Sequence, residues 1–124
     1  MNELMMKTPS IDIREASFAF AIEVVRVAGL LPKTAIGLEL SRQFLRAGIS
    51  IGANVEEAQG ARTKREFTNL MNIAKREARE VRYWLRVITA SRLLQPEVTA
   101  VTLQDAERLV RVLTAIVKTS EGRC

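Results

Sequence analysis

From Ala35 to Ser91 apolar residues recur at steps of three and four, with a single break at Gly60. That period belongs to the α-helix and leaves a strand no consistent buried face. In the later half of this stretch Phe67, Leu70, Met71, Ala74, Ala78, Val81, Leu85 and Ile88 repeat it. The earlier half carries Leu40, Phe44, Ala47, Ile51, Val55 and Ala58. A final stretch repeats it with Val98, Val101, Leu109, Val110, Leu113, Ile116 and Val117. Pro9, Pro32 and Pro96 divide the chain, because proline inside a helix removes a hydrogen bond and clashes with the preceding turn. The spacing predicts helices over about 12–29, 35–59, 64–91 and 97–119.

The ends of these runs carry capping chemistry. Asp12 with Glu15, and Thr63 with Glu66, have the capping-box spacing. Gly60 is placed to end the second helix and Pro96 to open the fourth, although Thr102 with Asp105 offers a later start. No strand-like alternation, repeat or low-complexity segment interrupts the pattern. A chain of 124 residues is the size of one domain, read here as spanning 1–124. Four helices with short links fit an all-α, antiparallel up-down-up-down four-helix bundle.

The first two helices carry more apolar surface than one bundle contact hides. Ala16–Leu31 has only Ser17, Glu23 and Arg26 as polar interruptions. A helix apolar on more than one side is central or shared with another subunit, so a homo-oligomer is expected, with helix 1 or helix 2 at its interface. The same stretch is too short and too charged for a membrane span. Helix 2 also contains Gly48 and Gly52, one turn apart. Each costs about 1 kcal/mol relative to alanine, which points to close helix packing at both positions.

Charge is distributed as unevenly as apolar surface. The whole chain carries a net charge of +5. Arg62 to Arg92 contains nine cations and three acids, 9 − 3 = +6, while the rest carries 10 − 11 = −1. Lys75, Arg79, Arg82 and Arg86 line one face about 120° from the apolar stripe, at roughly 100° per residue. Arg62, Lys64 and Arg65 lie at the entry to the same helix. Arginine in such a row suits bidentate phosphate contacts, so RNA or DNA is the expected partner. The competing reading is a structural or protein-interaction module whose cations pair with acids across subunits or on a protein partner. A membrane surface is disfavoured, because this helix has no apolar face left once its stripe is in the core.

Several polar residues lie close to the apolar stripes. Asn54 and Glu57 flank that of helix 2 and Glu77 that of helix 3, with Arg46, Arg76 and Arg79 available as counterions. These are read as structural residues that fix helix register. Tyr83 and Trp84 are read as packing residues. The chain has no histidine and one cysteine, Cys124, which leaves no metal cluster and no intramolecular disulfide. Nothing supplies a nucleophile with a base partner or a phosphate-binding loop. No enzyme activity and no cofactor are expected, and without a signal-peptide run the chain reads as soluble and cytoplasmic.

One segment has a further likeness. Q-x-L-R-A-G-x-S-I-x-A-N-x-x-E-A, at Gln43 to Ala58, resembles the four-helix bundle family of the 23S ribosomal RNA intervening-sequence proteins. Phe67, Ile73-Ala74, Arg76-Glu77-Ala78, Glu80 and Tyr83-Trp84-Leu85 continue that likeness, with Arg76 where the family has lysine. The resemblance implies a bacterial cytoplasmic protein in a ring-like homopentamer. Accessory proteins of diversity-generating retroelements, which bind nucleic acid and a reverse transcriptase, look similar.

Overall fold

A computed structural model describes residues 7–8 and 11–122, so Pro9 and Cys124 lie outside the described residues. Four helices account for most of it: α1 (Ile13–Leu30), α2 (Ala35–Gln59), α3 (Lys64–Ala90) and α4 (Pro96–Ser120). The sequence pattern predicts no strands. The structure adds a two-residue antiparallel ladder, β1 (Lys7–Thr8) with β2 (Ile11–Asp12), too short to show any alternation.

Side chains fix the helix starts. Asp12 caps α1 by accepting from the Arg14 amide at 3.0 Å. Thr34 caps α2 through the Gly37 amide at 3.1 Å, and Thr63 caps α3 through the Glu66 amide at 3.0 Å. Glu66 reaches back to the Arg62 amide rather than to that of the cap residue. Proline at the first position starts α4 without a side-chain cap. The alternative start at Thr102 is not used. Thr102 is fully buried instead and donates to Glu23 Oε2 at 3.2 Å.

The helix ends differ from expectation in one respect. Gly60 follows α2 with φ −96°, so that turn does not draw on glycine's left-handed freedom. The left-handed residues are Gly122 after α4, with φ 78°, and Arg92 after α3, with φ 59°. Around the latter the Leu93 amide donates to Ile88 and the Arg92 amide to Thr89, which is the Schellman arrangement.

Each helix packs on two others: α1 on α2, α2 on α3, α3 on α4, and α4 back on α1. The shared core has Phe20, Val24, Phe44, Ile51, Phe67, Met71, Leu85, Ile88, Leu113 and Ile116 among its members. Contacts between α1 and α2 link Ala28 to Ser41, Val24 to Gly48 and Ser17 to Gly52. Those between α3 and α4 link Thr89 to Thr99 and Thr68 to Ser120. Ser17, Thr99, Thr102 and Ser120 are buried polar residues, and each is hydrogen-bonded. Periodicity could not announce them, because a small hydroxyl that finds a partner, in its own helix or across a seam, fits inside an apolar stripe.

The two glycines of α2 meet different neighbours. A Cβ on Gly48 would lie 2.6 Å from both Val24 methyls, whereas one on Gly52 would meet the Ser17 carbonyl oxygen at 3.3 Å. Val24 is fully buried and its branched side chain is stiff, so it cannot step aside cheaply. Overpacking should therefore outweigh the gain in helix propensity: Gly48→Ala is expected to cost about 1–3 kcal/mol. Thermal denaturation checks this, with a clearly lower Tm expected for Gly48→Ala.

The α1–α4 seam holds a cavity of about 210 Å³, lined in part by Ala16, Phe20, Asp105 and Leu109. Partial desolvation at this seam, helped by the nearby Glu23 charge and opposed by Arg108, pushes the carboxyl of the otherwise exposed Asp105 above its ordinary value of 3.8. The charged form is thus disfavoured in the folded chain. Its penalty is present at neutral pH and relieved as pH falls through the raised value toward the unfolded one. Asp105→Asn should raise the Tm at pH 7 by roughly 1–2 °C. Denaturation across pH should show that gain vanishing below the ordinary aspartate value.

Candidate nucleic-acid interface

The orientation of α3 is set by its buried residues. Phe67, Met71, Ala74, Ala78, Val81, Leu85 and Ile88 have no exposed surface. With that stripe fixed, every other side chain of the helix is assigned to a flank. Thr68 and Thr89 mark the α4 side through their contacts with Ser120 and Thr99. Glu77 and Glu80 mark the α2 side through Arg46.

At roughly 100° per residue, Lys75, Arg79, Arg82 and Arg86 share the flank of Thr68 and Thr89, toward α4. Arg79 and Arg86 are exposed, while Lys75 and Arg82 are half-buried, their stems lying against the bundle. Among the described residues no carboxylate comes within ion-pair distance of these four. Arg62, Lys64 and Arg65 are exposed at the start of the helix and are likewise unpaired among the described residues. Along the row the charges rise by about 6, 4.5 and 6 Å.

The opposite flank is closed by an ion network. Arg46 Nη2 lies 2.5 Å from Glu80 Oε2, and Arg46 Nη1 lies 3.5 Å from Glu77 Oε1. Those carboxylates, Glu80 first, raise the pKa of the Arg46 guanidinium. Glu80 also accepts from the Trp84 indole at 3.0 Å. Glu77 Oε1 is buried without a well-aligned hydrogen bond, so Arg46 holds it by charge more than by geometry. Of the three counterions considered for Glu77, only Arg46 is used. Arg76 and Arg79 face away from it, on the outer and α4 sides of the helix.

Other expectations need correction. Glu57 does not lie beside the α2 core: it is exposed, because it sits about 200° around the helix from the buried Val55. Asn54 is half-buried and bonds within its own helix, to the Ser50 carbonyl at 2.8 Å and the Ser50 hydroxyl at 3.1 Å. Tyr83 is not a packing residue of the core, being 56% exposed. Its ring meets that of Trp84 edge-on at 5.5 Å and 65°.

Sequence reasoning passed over α4. Its Arg111 and Lys118 are exposed, and helical projection puts them with Glu107 on the outer face of α4, beyond the Thr99 side that meets α3. Counting charge along the chain hid them, since α4 carries as many acids as bases. Only the packing of α4 on α3 makes these two cations neighbours of the α3 helix. The arrangement can hold an extended anion along a shallow ridge. Among the described residues no group of histidine, cysteine, aspartate and glutamate is placed to hold a metal. None of their helices is long and apolar enough to cross a membrane.

Comparison with known proteins fits this architecture. A protein of unknown function from the S23 ribosomal protein family of Bacteroides thetaiotaomicron VPI-5482, whose crystal structure was determined at 1.70 Å, is 32% identical to this chain. The match covers 86% of this chain and 98% of that one, with a TM-score of 0.81. No curated protein matches. The model of the 23S rRNA-intervening sequence protein family matches residues 10–115, and the chain belongs to that family.

Proposed function

We propose that this protein is a non-enzymatic, oligomeric helical bundle that holds RNA or DNA on the α4-facing flank of α3. The observation that carries the reading is the sorting of charge on α3. Its inner acids Glu77 and Glu80 are gathered by Arg46 on one side, while Lys75, Arg79, Arg82 and Arg86 have no acid partner among the described residues on the other. Unpaired guanidinium groups on a solvent-facing ridge release condensed counterions when they meet phosphates, which makes binding favourable and salt-dependent. A ridge without a groove-filling element reads backbone rather than base edges, so sequence preference is weak.

The bundle is antiparallel, up-down-up-down. Support comes from the order of its contacts, which descend α1 as they ascend α2 and descend α3 as they ascend α4. Assembly uses the outer face of α1 and α2. Phe18, Ile22 and Val25 are 67%, 58% and 51% exposed and follow one another at steps of four and three. Beside them a largely apolar groove of about 260 Å³ is lined in part by Ala21, Ile49, Gly52 and Ala53, with Arg14 and Glu56 also on its walls. A second copy of the chain is the occupant that the first two helices' excess apolar surface calls for. The family resemblance supports a ring of five as the form of that assembly. Repetition of the cation flank around a ring would strengthen binding to a long polyanion through simultaneous contacts.

Changing Lys75, Arg79, Arg82 and Arg86 together to glutamine should weaken retention of RNA and DNA. It should also flatten the slope of log affinity against log salt by about 3. Fluorescence anisotropy over a salt series measures both, and no retention by the wild-type protein at low salt would overturn the proposal. Ile22→Asp, a charge placed on an exposed site, should lower the assembly mass in sedimentation equilibrium without unfolding the helices. An unchanged mass would place the copy contact elsewhere.

A further inference from the structure

We infer that Tyr83 is a base-stacking residue and that the favoured ligand of the α3 ridge is single-stranded RNA or DNA. This rests on the nucleic-acid reading above and narrows its ligand class. Tyr83 is the only tyrosine in the chain and lies on the outer side of α3, largely in water. Arg79 precedes it by four residues and Arg86 follows it by three, the two spacings at which helix side chains are neighbours. The ring therefore borders two cations of the ridge, within about 6 Å of rise along the helix.

The ring is also positioned. Its edge-on contact with Trp84 covers at most one face of one ring, so a Tyr83 face remains for a ligand. Trp84 is held in turn through its indole N–H to Glu80, and Glu80 is held by Arg46 from α2. A relay of two helices thus fixes an aromatic side chain beside unpaired guanidinium groups. That combination of a cation track with an adjacent aromatic platform takes up single strands, because every base offers a π-face once it is unstacked. Bases within a duplex are already stacked and cannot reach the ring. Phosphates would lie along Lys75, Arg79, Arg82 and Arg86, with a base turned over Tyr83.

The test uses the full chain in its assembled state, with fluorescein-labelled oligothymidylate and a DNA duplex of the same length as probes at low salt. Tyr83→Ala should weaken single-strand binding about tenfold while leaving duplex binding within about twofold, and Tyr83→Phe should keep single-strand affinity. The four-glutamine variant should weaken both probes, which separates the cation row from the ring. Equal single-strand affinity for wild type and Tyr83→Ala would overturn the inference, as would equal weakening for both probes. A changed assembly mass in Tyr83→Ala would overturn it too, since the ring would then belong to a contact between copies. Failure of the wild type to bind either probe would remove the nucleic-acid reading itself.

Discussion

The exterior of this molecule depends on how α3 is rotated about its own axis, and burial decides that rotation. Seven side chains of one stripe are removed completely from water against α2 and α4. Each large one, such as Phe67, Met71 or Leu85, stabilises the native state by about 1.5–3 kcal/mol on burial. Turning the helix by even one residue, roughly 100°, would expose much of the stripe and bury charge. The two flanks therefore have fixed destinations. One faces α2 with Glu77, Glu80 and Trp84, and the other faces α4 with the cation row.

What each flank becomes is a consequence of its neighbour. Arg46 on α2 satisfies the acids of one side, which frees the arginines of α3 from the helix's own inner carboxylates. On the other side Thr89 and Thr68 meet the α4 hydroxyls of Thr99 and Ser120 inside the seam, and among the described residues no carboxylate comes within ion-pair distance of the cation row. The same segregation explains the position of Tyr83. It lies on the outward arc between the two flanks, and its edge-on contact with Trp84 links it to the acid side. A charged ridge and a held aromatic ring thus come from one helix without any pocket.

The first two helices solve a different problem. Gly48 admits the Val24 methyls, and Gly52 lies beneath the Ser17 carbonyl, so α1 and α2 approach closely where those glycines sit. That inner contact leaves the outer apolar residues of α1, Phe18, Ile22 and Val25, without cover. The α1–α4 seam is looser, with a small cavity and the pair Glu23 and Asp105 near the buried Thr102. Glu23 is held below the usual carboxylate range, first by its hydrogen bond from Arg26. Asp105, lacking such a donor, is pushed the other way.

Four helices, their apolar stripes and the crowding of cations between Arg62 and Arg92 were legible in the residues, because period, proline and charge are local properties of a chain. So were the caps at Asp12 and Thr63 and the surplus of apolar surface on α1. Partnership was not legible, since it depends on which faces meet. Glu57 looked inward and is exposed, while Thr102 looked like a helix start and is buried. Arg46 was one counterion among three until the α2–α3 contact selected it. Tyr83 could not be separated from the core aromatics by spacing alone, and the cations of α4 were invisible in a charge count that balanced to zero. Pattern sets which surface each helix must hide; only packing decides which side chains remain beside one another in water.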